Sequence, residues 1–135
     1  MKYFLSITLI LTAFVFGISA QSRGRVELKA GESTTAMKGK LHVKFIGVGE
    51  DSRCPAGTTC VWAGNAKVGI QVWKKGGKPA DLTLNTTLDP RTVTYLGFKI
   101  TLITLSPRTT SSDIDINGTA RPEAESTAVF EITKS

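Results

Sequence analysis

The chain has 135 residues, 41% of them apolar and 21% charged, and a formal net charge of +6. That is enough for one domain with a real core, and the composition is not that of a disordered, collagen-like or disulfide-dense scaffold. The positive balance suits an anionic partner, but the cations are scattered and lack interleaved aromatics and clustered arginines, which argues against nucleic acid as the partner.

The first element is a leader. Lys2 precedes an apolar run from Phe4 to Phe16, and Gly17, Ser19 and Ala20 lead into polar sequence at Gln21. This is the layout of a secretory signal peptide over residues 1–20, cleaved after Ala20. The run is shorter than the roughly 20 apolar residues of a spanning helix, and no second hydrophobic stretch follows. No membrane span is expected after cleavage, and the expected destination is secreted or periplasmic. The 135 residues less this 20-residue leader leave 115, read as a single domain over 21–135; the charge of +6 less that of Lys2 leaves +5.

The rest of the chain reads as short strands. Val26 and Leu28 alternate with charged residues, then Leu41, Val43 and Phe45 alternate with Lys40, His42 and Lys44. Ala66, Val68, Ile70 and Val72 form a third run. Lys74, Lys75 and Lys78 bracket Gly76-Gly77 in a hairpin turn that needs positive φ, and Leu82 and Leu84 follow. Pro90 fixes a turn before Val93 and Tyr95. Gly97 reads as a bend or bulge, so that Thr92 to Leu105 forms one long bent strand. Ser106 to Ser126 is a long polar connection, within which Asp113 to Asn117 reads as a short edge strand. Ala128, Phe130 and Ile132 close the series. Period two marks half-buried strands, and no comparable 3.6-residue stripe occurs. About seven such strands predict an all-β domain, either a single antiparallel β-sandwich or a small β-barrel.

Chemistry concentrates in Asp51 to Gly64, DSRCPAGTTCVWAG, which holds both cysteines. In an oxidising compartment Cys54 and Cys60 are expected to form a short-range disulfide, since Pro55 and Gly57 allow the chain to turn between them. The loop-entropy relation gives so small a ring roughly 2.4 kcal/mol of stabilisation. A redox pair is more often C-x-x-C at a helix N-terminus, and a zinc site needs ligands beyond these sulfurs and His42, the one histidine. Trp62 is expected to cover the disulfide and pin the loop to the domain. Asp51 and Arg53 read as a pair locking the loop, with a ligand-facing arginine as the sharper alternative. Asp51, Arg53, Pro55 and Trp62 are therefore the candidate binding loop.

The pattern Ser52-Arg53-Cys54-Pro55, four residues, then Cys60-Val61-Trp62-Ala63-Gly64 resembles that of small exported bacterial proteins, secreted or lipid-anchored. The resemblance covers about Leu41 to Trp73, and implies a bacterial origin and an export route but no activity. The chain departs from the lipid-anchored members in lacking their anchor cysteine.

Asp113, Asp115 and Asn117, with Gly118 after them, match the opening of a calcium loop. The match breaks at its twelfth position, Ala124, between Glu123 and Glu125. A plain strand entering an Asn-Gly turn fits the same residues. No catalytic residue and no cofactor is expected: the sole His42 would have to serve any Ser-His-Asp arrangement, and G-x-S-x-G is absent. The expected function is a non-catalytic binding or structural module of the bacterial cell envelope, whose partner is an envelope or extracellular protein. The alternatives are a protease inhibitor presenting residues 54–60 in extended form, and an enzyme using carboxylates alone.

Overall fold

The structure, a computed structural model, describes residues 23–106 and 126–135. The leader, the Asp113–Asn117 strand and the calcium candidate (Asp113, Asp115, Asn117) lie outside the described residues.

Eight strands follow in chain order: β1 (Gly24–Lys29), β2 (Ser33–Ala36), β3 (Leu41–Asp51), β4 (Ala66–Trp73), β5 (Ala80–Asn85), β6 (Thr92–Tyr95), β7 (Phe98–Ser106) and β8 (Thr127–Lys134). They form two four-stranded antiparallel sheets, ordered β1-β8-β7-β6 and β2-β3-β4-β5. The sheets do not close on one another, so the domain is a sandwich and not a barrel.

Alternation builds the core. Leu41, Val43 and Phe45 of β3 are fully buried, as are Ala66, Val68, Ile70 and Val72 of β4. Ile100 of β7 and Ala128, Phe130 and Ile132 of β8 meet them from the other sheet, all at 0% exposure. Because successive side chains point to opposite faces, one register fixes both layers. Val43 pairs with Val72 and Phe45 with Ile70; Ile100 pairs with Ile132 and Leu102 with Phe130. Phe45 and Phe130 meet edge to face, with ring centroids 6.1 Å apart.

Three expectations are corrected. Ser33–Ala36 is a strand that the pattern does not reveal, because only Ala36 of its four residues is buried. Thr92 to Leu105 is not one bent strand but two, with Tyr95 paired to Phe98 across a two-residue turn. Leu96 at φ 43° and Gly97 at φ 85° make that turn, and a leucine there hid it from the usual Asn-Gly signal. In the Lys74–Lys78 turn, Gly76 alone takes positive φ.

Five of the connections among the described residues collect at two poles. One carries the β3–β4 connection and the β5–β6 connection. The other carries the β2–β3, β4–β5 and β6–β7 turns.

Candidate functional site

The β3–β4 connection is stiff from its base upward. Past the end of β3, Ser52 N–H donates to the Asn65 carbonyl at 2.7 Å, and Asn65 N–H donates to Ser52 Oγ at 3.0 Å. The stem closes so tightly that a Cβ on Gly64 would lie 1.8 Å from the Ser52 carbonyl oxygen, and Gly64 also has φ 65°. Only glycine fits there. Above the stem, Cys54 and Cys60 form the predicted disulfide, with Cα atoms 5.8 Å apart. A disulfide is the form a cysteine pair takes in an oxidising compartment.

Within the ring the Pro55 carbonyl accepts hydrogen bonds from Thr58 N–H at 3.3 Å and Thr58 Oγ1 at 2.6 Å, and Gly57 has φ 83°. Residues 55–58 are thus a closed turn. Gly57 and the threonine hydroxyl favour that turn.

The anchor is Arg53. Its Nε donates to Asp51 Oδ1 at 2.9 Å and its Nη2 to Asp51 Oδ2 at 2.6 Å, a two-pronged pair that matches guanidinium to carboxylate. Its Nη1 donates to the Leu105 carbonyl at 2.8 Å, on β7 of the opposite sheet. One side chain therefore ties the loop to both layers. The two side chains are only 7% and 14% exposed.

Trp62 does not pin the loop. It is 72% exposed and its neighbour Val61 95% exposed. Its indole instead lines a shallow hollow with Ser52, Asn65 and Leu88. Among the four candidate residues, the structure joins Asp51 to Arg53, places Pro55 in the disulfide ring, and leaves Trp62 at the tip.

A second support was not legible in the sequence. Asn65 Nδ2 donates to Asn85 Oδ1 at 2.8 Å, while Asn65 Oδ1 accepts from the amides of Thr87 and Leu88 at 3.1 and 3.3 Å. Asn85, 7% exposed, donates in turn to the Asp89 carbonyl at 3.2 Å. The network fastens the β5–β6 connection beside the stapled loop and leaves Leu88 60% exposed near Trp62. An Asn beside a glycine signals only a turn, so sequence gave no hint of this pairing.

Two hollows flank the loop. A depression of about 330 Å³ runs between Trp62 and Leu88. A groove of about 370 Å³ is lined by Arg53, Arg91 and the hydroxyl-bearing Thr86, Thr87, Thr104 and Ser106. Among the described residues no carboxylate lines either. Nor do three His, Cys, Asp or Glu side chains gather among them as a metal site requires. His42 lies at the far end of β3 and stacks on Trp73, ring centroids 5.2 Å apart.

Replacing Cys54 and Cys60 together with alanine is expected to lower stability by about 2 kcal/mol, or about 10 °C in Tm. Paired thermal melts measure it. A loss below 2 °C would mean that the stem and Arg53 hold the loop without the bond.

Comparison of the chain with family models, with curated proteins and with solved structures gives no match.

Proposed function

We propose that this is an exported, non-catalytic β domain of the bacterial cell envelope, a binding module whose contact surface is the stapled pole. Its partner is an envelope or extracellular protein. The similarity of the Ser52–Gly64 pattern to small exported bacterial proteins and the leader-like N-terminus support export.

The observation that carries the reading is the exposure of Val61 and Trp62, 95% and 72%, at the tip of a loop held by a disulfide and by Arg53. Leaving an indole in water is unfavourable, and so much local structure is not needed to keep it there. A fixed aromatic loses little entropy on binding, and tryptophan is the residue most often found to anchor interfaces. Leu88 beside it enlarges the apolar tip.

The test places a photoreactive benzophenone side chain at position 62 of the exported protein in living cells. One discrete crosslinked partner is expected, absent when the label sits at Thr35 on β2. No adduct at 62, or the same adducts from both positions, would contradict the reading.

A further inference from the structure

The cations that look scattered in the sequence are gathered by the fold. The β2–β3 turn carries Lys38 and Lys40, the β4–β5 turn carries Lys74, Lys75 and Lys78, and β8 ends at Lys134. These segments share the pole opposite the stapled loop. His42 pairs with Trp73, which sets the first two turns side by side. Lys134 pairs with Phe98, over whose ring Lys74 Nζ sits at 5.3 Å, and Tyr95 donates its hydroxyl to the Lys78 carbonyl at 3.5 Å. Both sheets thus contribute to one surface. Among the described residues, its turns and the end of β8 hold six lysines; the turns carry no acidic side chain, and the nearest acids along the chain are Asp81 of β5 and Glu131 of β8, each three residues from a lysine. Among the described residues none of the six lysines makes an ion pair.

Leu96 projects at this same pole. It is 61% exposed and has φ 43°. A leucine in the left-handed region is strained, and asparagine is the residue this turn prefers. The fold therefore holds an aliphatic side chain in water, in an unfavourable backbone conformation, close to a group of unpaired lysines. Neither folding nor solubility calls for that.

We propose that this pole docks on an anionic phospholipid surface, with Leu96 entering the headgroup region and the lysines facing lipid phosphates. Lysine ammonium groups on flexible stems suit a diffuse layer of phosphates, and clustered lysines beside an exposed apolar residue form the two-part signal of peripheral membrane attachment. A nucleic acid is the weaker match. The surface is made of protruding turns, it lacks the arginine fork, and Trp73 is already stacked on His42. Docked this way, the protein turns Val61 and Trp62 away from the bilayer.

The test uses the chain from Gln21 onward, which contains every described strand. Its sedimentation is measured with vesicles of phosphatidylcholine alone and with vesicles containing one third phosphatidylglycerol, in about 0.1 M salt. Binding is expected to the anionic vesicles only. Replacing Lys74, Lys75 and Lys78 together with glutamine is expected to weaken it roughly 100-fold, at about fivefold per lysine. Leu96→Asn is expected to weaken it about tenfold while leaving Tm equal or higher, since it relieves the turn. That variant separates docking from folding. Failure to bind anionic vesicles, or binding unaffected by Leu96→Asn, would overturn the proposal. So would a single-stranded oligonucleotide that displaces vesicles and binds the wild type and Leu96→Asn alike, the result expected of a nucleic acid site. The outcome does not depend on crosslinking at position 62, because the two poles share no residue.

Discussion

Gly64→Ala is expected to destabilise the protein by about 4 kcal/mol, the largest loss from adding a methyl group at any of the described glycines. Two costs combine. The residue has φ 65°, where an alanine is strained by about 1 kcal/mol. The added carbon would also lie 1.8 Å from the Ser52 carbonyl oxygen and 2.8 Å from the Cα of Arg53. Both neighbours are backbone, so relief requires the stem to open. Opening removes the Ser52–Asn65 hydrogen bonds, each worth about 1 kcal/mol, and adds overpacking strain of about 1 kcal/mol or more. Tm should fall on the order of 20 °C. Gly57→Ala is the control: φ is 83°, but nothing lies within 4 Å of the new carbon, so about 1 kcal/mol is expected. Equal losses from the two substitutions, read by urea denaturation, would show that the close approach at Gly64 is not a structural constraint.

Asp51→Ala is expected to cost about 3 kcal/mol, because it leaves a sheltered guanidinium without its carboxylate. Arg53→Ala should cost a similar amount. It removes the link to the Leu105 carbonyl as well as the two side-chain bonds to Asp51, and leaves Asp51 Oδ1 with the backbone N–H of residue 53. The double variant should lose less than the sum of the two, since each single change already breaks the same contact. Arg53→Lys should recover little, as one ammonium cannot bond both Asp51 oxygens and the Leu105 carbonyl in this geometry. Single losses under about 1 kcal/mol would place the pair among ordinary surface ion pairs, whose contribution is that small. The side-chain exposures of 7% and 14% are the reason to expect more.

The layout of the body was legible because burial here follows period two. Val43, Phe45, Ile70, Phe130 and their alternating neighbours could only point one way into a shared core. What the pattern could not decide was how the two layers closed, since a sandwich and a barrel bury the same alternating faces. β2 escaped because STTA covers polar edge surface and buries only Ala36. The β6–β7 turn escaped because Leu96 occupies a conformation that normally advertises itself by Asn or Gly.

At the stapled pole the legible part was covalent and local. The spacing of Cys54 and Cys60 and the proximity of Asp51 to Arg53 both announced themselves. The exposure of Trp62 is not legible there, because size and apolarity suggest burial but do not say which way a loop leaves its stem. The reach of Arg53 to Leu105 and of Asn65 to Asn85 depends on which strand ends meet, and so appears only once the sheets are in place. The lysine pole is a similar case: turns distant in sequence become neighbours because antiparallel strands return them to the same end.

One physical condition underlies the proposed role: Trp62 must be both wet and still. Backbone ¹⁵N relaxation of the oxidised protein tests this most directly, read at Val61 and Trp62 against the β4 strand. Order parameters near 0.8 at the tip, close to those of β4, are predicted, with an indole signal freely quenched by a water-borne quencher. Values below about 0.6, or an indole shielded from the quencher, would contradict the account.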